Sequence, residues 1–272
     1  MSAPARRRIA VCADDFGITP AATRSILELS RSGAISAASV AVDGLSAAGS
    51  AADLAACAQV SVGLHLALTN DLPGEPRARL STWILRAFVT PWRVRRAVGA
   101  EMTRQLDRFE QLIGRPPAYV DGHQHVHQFP GIREALVATL ERRYGRDVAL
   151  RSTVPRAPRG KKAAVIALLG GRGLERTAAR RGLAMNRDFA GVYDFTGRVA
   201  FQERMSAWLA SIADGGLVMC HPETDAVNGA DPVRAAEHRY LASPAWPALL
   251  DGQRIALARF DTASMRQAGA GG

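Results

Sequence analysis

The chain has 272 residues, of which 47% are hydrophobic, and a formal net charge of +10 at pH 7. This length and apolar content suffice for one sizeable core, so we expect a single domain. The longest aliphatic stretch, residues 163–169, is much too short to span a bilayer. The apolar run behind Arg6, Arg7 and Arg8 stops at Asp14, which is too short for a secretory signal. We therefore expect a cytoplasmic protein.

The three cysteines are an odd number and lack CxxC spacing; they are Cys12, Cys57 and Cys220. This pattern argues against both a disulfide framework and a thiolate zinc site. Because cysteine is among the most frequently buried residue types, we interpret all three as packing residues.

Predicted strands and helices alternate along the chain, as is typical of an α/β fold with a largely parallel sheet. In chain order we predict a strand over 9–13, a helix over 20–33, a strand over 35–42, a helix over 47–56, a strand over 60–68, a helix over 101–113, a strand over 119–121, a helix beginning near Pro130, a strand over 148–151, a strand over 191–195, a helix over 201–212, a strand over 217–220, a helix over 232–241 and a strand over 254–257. We expect residues 1–264 to form the domain and residues 265–272 a flexible tail.

Polar residues gather at the C-terminal ends of four of these strands. They are the acidic pair Asp14-Asp15, then His65, the run His123-Gln124-His125-Val126-His127, and His221. In barrels and open α/β sheets, active sites form at this edge. Aspartate and histidine bind divalent metals and transfer protons near neutral pH. A metal-assisted hydrolytic site is therefore the first hypothesis.

The acidic pair follows a buried strand, where two adjacent carboxylates need a cation or hydrogen-bond donors. On an extended backbone the side chains of Asp14 and Asp15 point to opposite sides, so one can bind a metal while the other acts on water. Taken alone, the pair could be a solvated turn, and His65, between two leucines, could be an ordinary core histidine. Their occurrence together favours a site.

The three alternating histidines would all face one side of an extended strand. The row spans roughly 13 Å at about 3.3 Å per residue, so one ion cannot reach both His123 and His127. One aspartate and two histidines leave an open coordination position, at which a cation polarises a carbonyl and acidifies its bound water. The reaction also needs a base and an acid, for which Asp14 and His221 are the candidates.

Arg151 ends another predicted strand. A buried arginine is usually paired, so this one could orient Asp14 and fix its charge. The alternative is a plain surface arginine in a basic region.

Together these motifs resemble the YdjC-like carbohydrate deacetylase family, which includes chitooligosaccharide deacetylases and hopanoid-associated members. The matching segments are residues 13–17, 63–66, 121–127 with Pro130, and 219–222. The resemblance implies an α/β fold of the distorted (β/α) TIM-like barrel type. It also implies hydrolysis of the N-acetyl group of an amino sugar, of the N-acetylglucosamine or N-acetylgalactosamine type, with release of acetate.

The resemblance also implies roles for individual residues. It implies Asp15, His65 and His123 as metal ligands, Asp14 as base, His221 as general acid, and His125 and His127 as groups that support the ligands or face the substrate. The single divalent ion would be magnesium by resemblance, or zinc by the preference of two imidazoles. A homodimer is favoured by base rate and by the resemblance.

Two segments carry most of the positive charge. Residues 81–98 hold four arginines and no acid, and residues 151–182 hold nine basic residues against Glu175 alone. The first segment mixes aromatic and basic side chains, among them Trp83, Phe88, Trp92, Arg93, Arg95 and Arg96. Such a mixture suits the headgroup boundary of an anionic membrane, here the inner face of the cell membrane.

One hypothesis is therefore an amino sugar on a lipid phosphate, such as a polyprenyl-phosphate sugar of lipid A modification. A solvated basic helix face is the alternative. Because no nucleic-acid motif is present, we do not expect a nucleic-acid partner. Two other functions stay open: a metal-dependent phosphoesterase that uses the same cluster, and a non-catalytic barrel that binds a sugar or lipid.

Overall fold

The computed structural model describes residues 5–69 and 78–270, and its helices and strands alternate along the chain. The strands in this part are β1 (Arg7–Phe16), β2 (Ala37–Val40), β3 (Ser61–Leu66), β4 (Tyr119–Gly122), β5 (Ala149–Leu150), β6 (Phe189–Ala190), β7 (Leu217–Cys220) and β8 (Ile255–Leu257). The α-helices are α1 (Pro20–Arg31), α2 (Ala51–Ala55), α3 (Leu80–Val89), α4 (Pro91–Ile113), α5 (Ile132–Tyr144), α6 (Lys161–Ile166), α7 (Arg172–Arg181), α8 (Phe201–Ser211), α9 (Pro232–Leu241), α10 (Ala245–Gly252) and α11 (Thr262–Ala270).

The strands form one parallel sheet in the order β5-β4-β3-β2-β1-β7-β6, and β8 pairs with the first residues of β1. An isolated parallel bridge between Leu150 and Met185 links the region of β5 to the chain just before β6. The sheet thus curves into a distorted (β/α) barrel surrounded by helices, in a single domain. This confirms the predicted fold class.

The apolar sequence of β1 is explained by its central place in the sheet. Ile9, Val11 and Ala13 are fully buried, as expected for a parallel strand that is covered on both faces. Helix α1 begins where the sequence indicated, because the Thr19 side chain accepts a hydrogen bond from the Ala22 N–H and Pro20 occupies the first turn. This start leaves the residues that follow β1 at the C-terminal edge of the sheet.

Several predicted elements differ from the structure. The strand predicted over 191–195 is wrong: the chain pairs with β7 only at Phe189–Ala190. Gly191 then turns away with a φ of 108°, which favours glycine. Helix α4 begins at Pro91 rather than residue 101, because proline suits a first turn. Residues 265–270, predicted as tail, continue α11, and Met265 is buried.

In the part of the chain that the structure describes, no helix combines the length and apolar character needed to cross a membrane.

Candidate active site

The C-terminal ends of β1, β3, β4 and β7 border one cavity of about 730 Å³. Six of the residues singled out in the sequence line it: Asp14, Asp15, His65, His123, His125 and His221. Because these strands are parallel, their last residues meet at the same edge. The structure therefore brings the acidic pair together with four histidines that lie far apart in the sequence.

The three predicted metal ligands are close enough to share one ion. Oδ1 of Asp15 lies 3.2 Å from Nδ1 of His123 and 3.4 Å from Nε2 of His65. One ligand atom from each residue lies within 4.8 Å of the other two. Bonds of about 2.0–2.2 Å to a common ion place neighbouring ligand atoms about 3 Å apart. These side chains therefore fit a divalent cation, and the partly exposed His123 leaves the site open towards the cavity.

A kink at the end of β1 directs Asp15 towards the histidines. Asp15 has a φ of 74°, and the register between β1 and β2 shifts between Ala13 and Phe16. The acidic pair is therefore not on the simple extended backbone that we expected. A positive φ is costly for an aspartate, and such conformations concentrate at functional sites.

Arg234 holds the other oxygen of this carboxylate. Its Nη1 donates to Oδ2 of Asp15 at 2.9 Å and lies 3.4 Å from Oε1 of Glu223. Oδ1 of Asp15 is left to face His65 and His123. Arg234 was not predicted as a site residue, because it lies on α9 outside the four motifs.

Asp121 orients His65. Oδ1 of Asp121 accepts a hydrogen bond from Nδ1 of His65 at 2.6 Å, which leaves Nε2 facing Asp15. A carboxylate behind a metal-binding histidine fixes its tautomer in this way. Burial disfavours the charged ring, but Asp121 outweighs burial and the pKa of His65 is raised to about 10. The sequence motif contained Asp121, yet we had not predicted a role for it.

Arg151 lies beneath Asp14 and is fully buried. Its Nη1 and Nη2 each donate to one oxygen of Asp14, both at 2.6 Å. Burial opposes ionisation of Asp14, but this guanidinium holds its pKa well below the ordinary value. Asp14 is therefore a carboxylate at neutral pH, and the alternative of a plain surface arginine is wrong.

A second group of potential metal ligands, Cys12, Asp14 and Asp121, surrounds the same guanidinium. Nη2 of Arg151 lies 2.9 Å from Sγ of Cys12, 2.6 Å from Asp14 and 2.5 Å from Asp121. Burial raises the pKa of Cys12 above its ordinary value. Arg151 thus supplies the positive charge in this group. All three cysteines of the chain are free and buried, in line with the expected packing roles.

The histidine run is not an extended strand. Residues His123–Gln128 form a 3-10 turn, in which Gln124 and His125 have φ values of 52° and 59°. The expected common face of the three histidines is therefore wrong. His125 lines the cavity, whereas His127 is fully buried and its Nε2 donates to the Arg151 carbonyl oxygen at 3.0 Å. His127 therefore contacts the chain at Arg151 and is not among the residues that line the cavity.

His221 follows β7 and lines the cavity. Burial lowers its pKa to about 4, although Asp15 and Asp14 oppose this shift. The imidazole is therefore neutral at pH 7 and must gain a proton before it can donate one. Its Nδ1 is buried and, among the described residues, has no hydrogen-bond partner.

Part of the cavity lining is apolar. It includes Leu80, Ile84, Phe129, Ile166 and Leu169. Helices α3 and α4 also carry exposed apolar side chains, namely Leu85, Phe88, Val89 and Trp92. Trp83 does not belong to this surface, contrary to the prediction, because it is buried and its Nε1 donates to the Leu68 carbonyl oxygen at 2.7 Å.

Comparisons with known proteins agree with the motifs. A family model described as YdjC-like protein matches residues 8–252. The chitooligosaccharide deacetylase of Klebsiella pneumoniae subsp. pneumoniae is 30% identical over 223 residues, which cover 79% of this chain and 81% of that protein. The carbohydrate deacetylases of Mus musculus and Homo sapiens are each 36% identical, over 149 and 154 residues. The matches span about half the length of these two relatives, 48% and 47%.

A solved structure has a similar fold. It belongs to an Enterococcus faecalis V583 protein named for cellobiose-phosphate cleavage. The two structures superpose with a TM-score of 0.69 at 20% identity, over 96% of this chain and 100% of the other. At this identity the similarity supports the barrel fold alone.

Proposed function

The chain belongs to the YdjC-like family, and from this we propose that it is a metal-dependent N-deacetylase of an amino sugar. The observation that carries the proposal is the approach of Asp15, His65 and His123 to within ligand distance of one another, beside an ionised Asp14. This set offers a metal site and a base at one end of a cavity large enough for a sugar.

Asp15, His65 and His123 would hold one divalent ion, either magnesium or zinc. When bound, such an ion supplies Lewis acidity, which polarises the acetyl carbonyl and makes water easier to deprotonate. Asp14 accepts a proton from the attacking water, because Arg151 keeps it ionised. His221 delivers a proton to the nitrogen as the C–N bond breaks, giving a free amine and acetate. Since His221 starts neutral, the proton that Asp14 removes from water must pass to His221, which then delivers it to the nitrogen, so that the protons balance.

We further propose that the amino sugar is carried on a lipid phosphate and that the protein contacts anionic membrane. Support comes from the apolar residues that line the cavity and from the exposed apolar side chains of α3 and α4, among which Trp92 is 62% exposed and Phe88 51% exposed. Arg93, Arg95 and Arg96 are exposed at the start of α4, beside Trp92. Arginines meet lipid phosphates while aromatic rings enter the headgroup boundary.

A substrate screen tests the enzymatic proposal. N-acetylated sugars of the glucosamine and galactosamine types, free and lipid-linked, would be incubated with the metal-loaded protein. We expect acetate and an equal amount of free amine, detected by mass. Release of phosphate instead would support the phosphoesterase alternative. Binding of sugar without hydrolysis of any substrate would support the non-catalytic barrel.

A further inference from the structure

We propose that Glu237 is a positioning residue for His221, acting through the main chain of His221 and through the aromatic side chains that pack against its ring. The inference rests on the proposed function, since it concerns the candidate proton donor. No motif in the sequence contains Glu237, which lies on α9 and is fully buried.

Each oxygen of Glu237 holds a different part of the site. Oε2 accepts a hydrogen bond from the main-chain N–H of His221 at 2.5 Å. Oε1 accepts one from the hydroxyl of Tyr193. A single buried carboxylate thus links the turn after β7 to the irregular segment after β6.

Tyr193 supports His221 indirectly, through the ring of Phe195. The rings of Tyr193 and Phe195 pack with their centroids 4.1 Å apart. Phe195 in turn meets the His221 ring edge-on, with centroids 5.4 Å apart and an interplanar angle of 76°. Phe195 has a φ of 56°, a conformation that surrounding contacts must maintain.

The ring of His221 needs such support. Its buried Nδ1 has no hydrogen-bond partner in the part of the chain that the structure describes. The orientation of the imidazole therefore depends on its main chain and on Phe195. Glu237 bonds to the main chain of His221 and, through Tyr193, supports Phe195. Loss of this carboxylate would therefore weaken both supports of the ring.

Two substrates separate positioning of a proton donor from general support of the fold. Hydrolysis of an N-acetyl amino sugar needs a proton on the departing nitrogen, whereas 4-nitrophenyl acetate releases a stable phenolate without one. For Glu237→Gln we expect kcat on the amide to fall by about tenfold or more, because a positioned acid contributes about 100-fold or more. Turnover of the aryl acetate should fall by less than about twofold. The variant His221→Ala should show the same pattern.

A double variant tests whether Glu237 acts through His221. Residues that act as a unit have non-additive effects. Glu237→Gln combined with His221→Ala should therefore be no slower on the amide than His221→Ala alone. The control is Glu101→Gln, which changes a buried carboxylate on α4 that is bonded to Arg104 and Gln105. It should lower the melting temperature and leave the ratio of the two activities unchanged.

Equal losses on both substrates, or additive losses in the double variant, would overturn the proposal. If the native protein releases no acetate from any amide, the proposed function fails instead. The crystal structure of Glu237→Gln then decides about positioning without any activity. A displaced His221 ring supports the proposal, and an unchanged ring overturns it.

Discussion

Arg151 contacts both oxygens of the Asp14 carboxylate, with two N–O distances of 2.6 Å. A bidentate pair of this kind fixes the direction of the carboxylate as well as its charge. The side chain that we assign as base is therefore held ionised and in one orientation before a substrate arrives.

Asp14→Asn should remove the base and leave the metal site intact. We expect kcat to fall by about 100- to 10,000-fold, the usual contribution of a general base. Acetate release and metal analysis of the same sample provide the measurement. Asparagine keeps the shape of the side chain and Asp15 is unchanged, so bound metal should equal the native amount. Retained turnover would exclude Asp14 as the base.

His123→Ala should abolish stoichiometric metal binding, because one of three protein ligands is lost. The matched control is His238→Ala, which removes a histidine that contacts Ser25 on α1, outside the cavity. Metal content after dialysis would be measured for both variants. We expect native stoichiometry in the control only. Full metal content in His123→Ala would contradict the ligand assignment.

Arg151→Met should destabilise the fold whether or not metal is present. The substitution leaves Asp14 and Asp121 buried without their common cation. Removing one partner of a buried ion pair typically costs about 3–5 kcal/mol. Urea unfolding of the native protein and the variant, both treated with a chelator, measures the difference. A change below about 1 kcal/mol would fall in the range of surface ion pairs and contradict a structural role.

Glu237 should make stability depend on pH. Burial raises its pKa from an ordinary 4.5 to about 7, against the opposing effect of the hydrogen bonds from Tyr193 and His221. Between these two values the folded state keeps a proton that the unfolded state has lost, so this group's contribution to stability declines as pH rises through 7. Urea unfolding at several pH values from 4 to 8 should reveal this decline in the native protein. In Glu237→Gln it should be smaller, and an identical pH dependence in both proteins would contradict the shift.

The exposed arginines of α4 should bind the protein to anionic vesicles. Replacing Arg93, Arg95 and Arg96 by alanine removes about 1 kcal/mol for each charge near the surface. Cosedimentation should therefore weaken by about 100-fold, and native binding should weaken with added salt. As a control, Arg172, Arg176 and Arg180 of α7 are also exposed and carry the same total charge. Equal losses in the two triple variants, or no binding by the native protein, would exclude the proposed membrane contact.

The sequence was a good guide to the residues at the strand ends. Parallel strands place their C-terminal residues at one edge, so Asp14, His65, His123 and His221 could be expected to meet. Apolar runs and helix caps located β1, β7 and the start of α1 for the same local reasons. These features depend on neighbouring residues, which a sequence displays directly.

Features that depend on distant contacts were missed. The left-handed Gln124 and His125 broke the expected alternation, because the two-residue period applies only while the chain stays extended. Trp83 lies in a segment of basic and aromatic residues, which predicted an exposed side chain. It is buried instead, and its Nε1 donates to the Leu68 carbonyl oxygen. Arg234 reaches Asp15 from 219 positions away in the sequence. No local pattern reports such pairings.

Arg151 contacts Cys12, Asp14 and Asp121 and supplies the positive charge that these buried groups need. Folding of the protein should therefore not depend on a divalent ion. Because the positive charge of Arg151 is covalently part of the polypeptide, a chelator would leave it in place while removing an ion held by Asp15, His65 and His123. We therefore expect a newly made molecule to form its barrel without a bound ion. It would then wait as an assembled apoprotein that reloads without refolding.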